Sequence, residues 1–217
     1  MARSINAPKT KTEELRKETI IDLIRHGEPV GGQRLRGSQD DPLSELGWQQ
    51  MRESLADHKP WESIVASPLK RCRYFAEELS EKHALNLSIN GQFREIGFGE
   101  WEGLTTKELQ ERDPEALKRY WQDPNEHTPP GGERMQDFID RIHSAWEQLL
   151  EESTNKHRLL VCHGGVIRAI LVHVLGMPNE RLWHIDVPYA NVSRVVIHHW
   201  GDSESAGQLR FHQARLM

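Results

Sequence analysis

Three short apolar segments, each running directly into a polar turn, constrain the fold of this chain more than any other feature. They span residues 20–24 (IIDLI), 63–66 (SIVA) and 159–162 (LLVC). Their length and continuous apolar character are typical of parallel strands covered on both faces. Helices are predicted to start at Ser44 and at Ser67-Pro68, and to span 105–120, 135–152 and 166–175, with final strands at 194–199 and 209–213. The alternation predicts an α/β fold, a three-layer α/β/α sandwich with a mainly parallel central sheet.

A chain of 217 residues, of which 36% are hydrophobic and 28% charged, can form one ordinary domain with a substantial core. We predict a polar N-terminal arm over 1–18, which lacks the apolar centre of a signal peptide, and a single domain over 19–217. The net charge of −5 disfavours a protein that binds nucleic acid through bulk electrostatics, and no apolar run is long enough to span a membrane. We therefore expect a cytoplasmic protein whose partner is a small molecule. The sequence leaves its oligomeric state open.

The histidine and cysteine patterns do not indicate a metal or another cofactor. The 12 histidines form no H-E-x-x-H motif, and no paired C-x-x-C motif occurs. His198 and His199 are adjacent and would point to opposite faces of a strand. Cys72 and Cys162 lie in separate apolar stretches, so a disulfide framework is not expected.

Basic and histidine residues follow the three predicted strands at the point where each strand ends. They are Arg25-His26 after the first strand, Arg71 after the second, and His163-Gly164 after the third. The carboxyl ends of parallel strands meet at one edge of a sheet, where ligands of such folds bind. Arginine side chains and helix N-termini suit phosphate oxygens, and an imidazole can be a covalent nucleophile in phosphoryl transfer. The sequence therefore predicts an anion site at this edge.

Each of these residues also has an ordinary structural explanation. The arginines could be solvated, and His163 could be a core histidine whose hydrogen bonds are satisfied. Glu95, in the segment FREIGFGEWEG, is the candidate proton donor to a leaving group, but it could also cap a turn. Trp101 and Trp121 are equally compatible with a core position and with a substrate-binding surface.

The segment VCHGGVIR, residues 161–168, fits two different phosphatase sites. Taken from Cys162 it is C-x-x-G-x-x-R, in which a thiolate attacks phosphorus and Arg168 holds the oxygens. Taken from His163 it is an apolar strand, a His-Gly turn and a helix, which suits an imidazole that binds phosphate. A third possibility is a phosphate-binding module without turnover.

Four segments follow one another in the order LIRHGE, ASPLKRC, REIGFGEWEG and VCHGG. In this order they resemble the histidine phosphatase, or phosphoglycerate-mutase-like, superfamily over nearly the whole chain after the polar arm. The resemblance implies a metal-independent phosphomonoesterase in which His26 is the nucleophile and becomes phosphohistidine. Glu95 would donate a proton to the leaving group and then activate water. The groups that would bind the phosphoryl oxygens are Arg25, Arg71, His163 and the backbone of Gly164.

The cysteine interpretation gives no role to these residues, and no aspartate-bearing acid loop is evident in the sequence. We expect Cys162 to be a small buried strand residue and Arg168 to lie on the helix after the His-Gly turn. A module without turnover would not need every catalytic position to be filled. The histidine interpretation of VCHGGVIR is therefore favoured.

Within this family, the segments GGQRLRGSQDDPLSELGW, FGEWEG and LGMPNERLWHIDV most resemble α-ribazole phosphatases, which act in cobalamin nucleotide-loop assembly. Arg36 and Gly37, in the first segment, would then help to bind α-ribazole 5′-phosphate. The related mutases carry an asparagine where this chain has Gly31-Gly32, and a long insertion where this chain has a short segment before Pro129. Hydrolysis is therefore expected, with a phosphoglycerate mutase or a sugar-phosphate phosphatase of the same family as the alternative.

Overall fold

A mixed sheet of six strands organises the part of the chain that the computed structural model describes, residues 17–200 and 204–214. The strands are β1 (Lys17–Arg25), β2 (Ser63–Ala66), β3 (Asn86–Ile89), β4 (His157–Cys162), β5 (Val192–Trp200) and β6 (Glu204–Ala214). Their order across the sheet is β3-β2-β4-β1-β5-β6. The first four run parallel, whereas the β1–β5 and β5–β6 pairs are antiparallel. The mainly parallel sheet expected from the sequence is confirmed.

Helices cover both faces of this sheet. They are α1 (Glu45–Leu55), α2 (Lys70–His83), α3 (Thr106–Arg112), α4 (Pro114–Gln122), α5 (Met135–Glu152) and α6 (Gly164–Val174). On one face, Ile21 and Leu23 of β1 belong to an apolar cluster that also contains side chains of α5 and α6. On the other face, Ile24 lies in a second cluster with side chains of α1 and α2. Successive strand residues thus fill two cores, and the three-layer sandwich is confirmed. No helix in the described ranges combines the length and apolar character needed to cross a membrane.

The start of α2 differs from the sequence expectation. The helix begins at Lys70, with Leu69 in the N-cap position and no side-chain cap, so Ser67 and Pro68 precede it. Ser67 is instead completely buried, and its hydroxyl lies 2.7 Å from Nε2 of His163. The polar residue that resembled a helix cap is therefore engaged across the sheet edge.

Three other elements also differ from the sequence expectation. The helical region expected over 105–120 is two helices, because Asp113 caps α4 and Pro114 occupies its first turn. The edge strand β3 was not expected, since its side chains are mostly exposed and lack a continuous apolar pattern. The last two residues of the expected arm, 17 and 18, belong to β1, and residues 1–16 lie outside the described residues.

The carboxyl ends of β1, β4 and β2 lie side by side at one edge of the sheet. Arg25 pairs with Cys162 and Ala66 pairs with Val161 in the parallel ladders. Hydrogen bonds continue just beyond the strands, since the amide of His26 donates to the carbonyl of Cys162 over 3.0 Å. The residues that follow these strands are therefore held close together, as the sequence predicts.

Candidate active site

A cavity opens at this edge of the sheet. Six of the expected site residues line it: Arg25, His26, Arg36, Gly37, Arg71 and Glu95. His163 lies beside His26, with 5.2 Å between the centroids of the two rings in an edge-to-face arrangement. The structure therefore gathers around one cavity residues that are far apart in sequence.

His26 has one ring nitrogen engaged and one available. The imidazole is 5% exposed, and its Nδ1 lies 2.8 Å from the carbonyl oxygen of Gly27. Because a carbonyl only accepts hydrogen bonds, Nδ1 carries the proton and Nε2 keeps its lone pair. Burial, followed by the charges of Arg71 and Arg25, lowers the pKa of His26 well below its ordinary value. The ring is therefore a neutral nitrogen base next to two cations.

The guanidinium groups of Arg25 and Arg71 each have at least one N–H group that is bonded to a backbone carbonyl and an Nε–H group that is not. Nη1 of Arg71 donates to the carbonyl of Gln39 over 2.7 Å, and its Nη2 donates to the carbonyl of Gly37 over 2.8 Å. Nη1 of Arg25 donates to the carbonyl of Val187 over 2.6 Å. The Nε atoms of both arginines are buried and have no hydrogen-bond partner among the described residues. A buried donor without an acceptor is costly, so these N–H groups are suited to bind an oxyanion.

Gly37 is held in place by its backbone conformation and its surroundings. Its φ of +48° lies in the left-handed region, which residues with a Cβ rarely adopt. A Cβ at this position would lie 2.7 Å from the carbonyl oxygen of Ile96, well inside contact distance. Glycine at this position therefore lets the loop approach closely enough for its carbonyl to hold Arg71.

His163 is completely buried at the N-cap of α6. Burial, followed by the charges of Arg71 and His26, lowers its pKa well below the ordinary value, so this ring is also neutral. Gly164 opens α6, and a Cβ there would lie 3.4 Å from Nε of Arg25. The start of α6 therefore lies beside the same guanidinium that lines the cavity, and helix N-termini favour anions.

Glu95 lines the cavity and is fixed by backbone amides. Its Oε2 accepts a hydrogen bond from the amide of Gly165 over 3.1 Å, and its Oε1 accepts one from the amide of Ile96 over 3.2 Å. Among the described residues that line the cavity, it is the one carboxylate, and five others are arginines: Arg25, Arg34, Arg36, Arg71 and Arg168. This lining favours an anionic ligand and presents the Glu95 carboxyl group to it. The described part of the chain contains no cluster of three His, Cys, Asp or Glu side chains suited to hold a metal.

Arg36 lines the cavity, but its guanidinium is partly occupied. Its Nε pairs with Oδ2 of Asp41 at 3.0 Å, and its Nη2 donates to the carbonyl of Val30 over 2.7 Å. The side chain is 6% exposed. These contacts fold the loop before α1 over the cavity, so a role in substrate binding would be added to a structural one.

Cys162 and His163 are both completely buried and neither lines the cavity, so the two interpretations of VCHGGVIR differ in the ionised group that each requires. Cys162 is completely buried, and burial raises the pKa of its thiol well above the ordinary value. Such a thiol is a poor source of thiolate. Arg168 does line the cavity, from the second turn of α6, and its Nε donates to the carbonyl of Ile185 over 2.7 Å. Because the cysteine interpretation needs a thiolate that reaches phosphorus, the burial of Cys162 disfavours it, whereas His163 needs only to lie beside His26.

Sequence reasoning missed two aromatic residues of the cavity and left a third undecided. Tyr189 packs its ring 4.2 Å from the guanidinium carbon of Arg25, and Trp183 lines the cavity beside Arg168. Both lie in the connection between α6 and β5, which has no catalytic pattern of its own. Trp121 also lines the cavity and is 45% exposed, whereas Trp101 is buried in the core.

Fold and site together place the chain in a class of α/β proteins that carry paired histidines and arginines at the carboxyl end of a mainly parallel sheet. The sequence pattern of the Histidine phosphatase superfamily (branch 1) matches residues 21–206. The chain belongs to this superfamily, which confirms the resemblance found in its motifs.

Two curated relatives are phosphatases named for different substrates. A glucosyl-3-phosphoglycerate phosphatase of Mycolicibacterium vanbaalenii is 33% identical over 185 residues, which cover 80% of this chain and 81% of that protein. The adenosylcobalamin/α-ribazole phosphatase of Salmonella typhimurium is 31% identical over 170 residues, which cover 76% of this chain and 84% of that protein.

A bifunctional protein of Mycobacterium tuberculosis is 32% identical over 180 residues, and the chain spans 49% of its length.

A solved structure supports the same relationship. The α-ribazole phosphatase of Shigella flexneri superimposes with a TM-score of 0.77 at 27% identity, over 90% of this chain and 96% of that one. The architecture is therefore that of a known group of phosphatases, while the relatives differ in the phosphate ester for which they are named.

Proposed function

We propose that this protein hydrolyses phosphate monoesters through a phosphohistidine at His26. One observation carries the proposal: the neutral Nε2 of a buried His26 shares a cavity with two arginines whose buried Nε–H groups have no acceptor among the described residues. A nucleophile must be unprotonated, and a transferring phosphoryl group needs donors around its equatorial oxygens. Arg25, Arg71 and the start of α6 meet the second need.

The reaction would proceed in two displacements. Nε2 of His26 forms a bond to phosphorus as the bond to the ester oxygen breaks, and Glu95 donates a proton to that oxygen. Water then attacks the phosphohistidine, Glu95 takes its proton, and inorganic phosphate leaves. His163 would donate to a phosphoryl oxygen, next to Arg25, Arg71 and the amide of Gly164.

The two arginines supply positive charge that Mg²⁺ supplies in many phosphoryl-transfer enzymes. We therefore propose that hydrolysis needs no metal. Exhaustive treatment with a chelator should leave kcat unchanged, and restoration of a lost activity by a divalent cation would contradict this part of the proposal.

As the substrate we propose α-ribazole 5′-phosphate. The Salmonella relative and the Shigella structure, both named for this activity, support it. The glucosyl-3-phosphoglycerate phosphatase is similar to the same extent, so sugar phosphates and phosphoglycerates are the competing substrates. A panel containing α-ribazole 5′-phosphate, glucosyl-3-phosphoglycerate, phosphoserine and 3-phosphoglycerate, compared by kcat/KM, would identify the substrate.

Trapping the covalent intermediate tests the chemistry directly. Rapid quench with radiolabelled substrate should give a phosphoenzyme that is labile in acid and stable in base, and His26→Ala should abolish it. His83→Ala, at the far end of α2 and outside the cavity, is the matched control and should keep it. Normal turnover by His26→Ala would refute the mechanism, and absence of hydrolysis of every monoester would favour a binding module without turnover.

A further inference from the structure

A half-exposed tryptophan stands at the wall of the cavity. Trp121, near the end of α4, lines the cavity and is 45% exposed. Its ring meets Trp183 edge-to-face at 5.2 Å and Tyr120 edge-to-face at 5.4 Å. Neither contact is a parallel stack, so a large part of the indole surface is left to a ligand.

Neighbouring side chains hold this surface in position. Trp183 packs against the guanidinium of Arg168 at 5.3 Å, and Arg168 is itself anchored to the carbonyl of Ile185. Phe98 lines the same cavity and packs on Tyr120 at 6.2 Å. We call Phe98, Trp121 and Trp183 the aromatic wall. Because its members are fixed by packing, binding a flat group there costs little conformational entropy.

The outer cations of the cavity are already paired with carboxylates. Arg36 pairs with Asp41 at 3.0 Å, and Arg34 lies 3.6 Å from Glu108. Arg25 and Arg71, in contrast, form no ion pair within the described residues. Arg168 also forms no ion pair within the described residues and packs on Trp183, so unpaired charge lies around the phosphoryl position and beside one member of the aromatic wall.

We infer that the aromatic wall binds a planar aromatic group on the leaving alcohol, so that the site selects nucleoside-like monoesters over bare sugar phosphates. This inference rests on the proposed phosphatase function and assigns Trp121 as a specificity residue. The inference also accounts for the position of Trp183 beside Arg168, since the guanidinium restricts the motion of the Trp183 ring, against which Trp121 packs.

Two probes that differ only in the aromatic group test the inference: α-ribazole 5′-phosphate and ribose 5-phosphate. Their dissociation constants should be measured by calorimetry on His26→Ala, which cannot turn them over, with and without Trp121→Ala. Stacking of a base on an aromatic side chain corresponds to a loss of about 5- to 150-fold in affinity on alanine substitution. Trp121→Ala should therefore reduce the preference for α-ribazole 5′-phosphate over ribose 5-phosphate by about that factor.

Two further variants separate stacking from a general effect. Trp121→Phe retains an aromatic face and should restore most of the preference. Trp200→Ala removes a tryptophan of similar exposure, 42%, that does not line the cavity, and should leave the preference unchanged. Equal weakening of both probes by Trp121→Ala, no weakening of either, or failure of both to bind would overturn the inference.

Failure of the phosphatase proposal has a different signature. It would appear as the absence of hydrolysis and of a phosphoenzyme in the wild-type protein, whatever the two dissociation constants are. A wild-type enzyme that prefers 3-phosphoglycerate to both probes would overturn the inference while leaving the phosphohistidine mechanism intact.

Discussion

Gly165→Ala is expected to displace the proposed acid without disturbing the fold. The amide of Gly165 donates to Oε2 of Glu95, and an added methyl group would point at the same carboxylate. Alanine is a better helix former than glycine by up to about 1 kcal/mol, and Gly165 lies in the first turn of α6. The clash falls on the end of a flexible side chain, so Glu95 should move while the helix remains.

The size of the displacement follows from the contact distances. The new Cβ would lie 2.3 Å from Oε1 of Glu95, whereas a carbon and an oxygen in ordinary contact are about 3.3 Å apart. The carboxylate must therefore shift by about 1 Å, and a displacement of that size at a reacting group can cost about 10²-fold in rate. Glu95→Gln, which removes the acid altogether, should cost about 10²–10⁴-fold.

The assay compares leaving groups. Both variants should lose kcat/KM on an alkyl phosphate, whose alkoxide needs a proton, far more than on p-nitrophenyl phosphate, whose phenolate leaves without one. Gly91→Ala is the matched control, because a methyl group there meets nothing within 4 Å. Equal losses on both substrates, or no loss with Gly165→Ala, would refute the assignment of Glu95 as the acid.

Three other predictions concern titration, the nucleophile and stability. Because the pKa of His26 is lowered, its ring should stay neutral in the folded protein as the pH falls through 6.5. The unfolded chain takes up a proton there, so the contribution of His26 to the free energy of unfolding should decline below that pH. An NMR titration with a protonation step at 6.5 or above would contradict this. Cys162→Ser should keep most of the activity, whereas His163→Ala should lose about 10²–10³-fold in kcat. An inactive Cys162→Ser that remains folded by circular dichroism would restore the cysteine mechanism. Asp22→Asn removes the buried carboxylate that pairs with Arg194 and should lower the free energy of unfolding, measured by urea titration, by about 3 kcal/mol. This value is at the low end for a broken buried pair because Arg194 is partly exposed. A loss below about 1 kcal/mol would show that the pair contributes little.

The layers of the fold were predictable because both faces of the inner strands are covered. Apolar runs such as 20–24 and 63–66 have no other stable place in a chain this polar, and each was followed by a helix signal. The edge strand β3 was not predictable in the same way, since the pairing of Asn86–Ile89 with β2, and not its own composition, makes it a strand. Ser67 shows the opposite failure: a local cap signal was overridden by a hydrogen bond to a residue 96 positions away.

The part of the candidate site next to the strand ends was visible in the sequence, because strand ends in a parallel sheet must meet. Arg25, His26 and His163 follow from that geometry alone. The positions of Tyr189 and Trp183 could not be predicted from that geometry, because nothing in their local sequence indicates that the connection before β5 packs against the end of β1. That packing depends on tertiary contacts such as the hydrogen bond from Arg25 to the carbonyl of Val187.

The packing of the connection before β5 against β1 has a consequence for the order in which the site forms during chain synthesis. Arg25 is held by Val187, 162 positions later, and its amide is bonded to the carbonyl of Asn191. His26 meets His163 only when β1 and β4 have paired, and such distant contacts form late because long loops must close first. A ribosome-bound chain that stops before the connection to β5 therefore carries His26, the proposed nucleophile, without the contacts that orient the neighbouring Arg25. The proposed activity should thus arise only after the connection to β5 has been synthesised, and chains that stop before it should not hydrolyse phosphate esters.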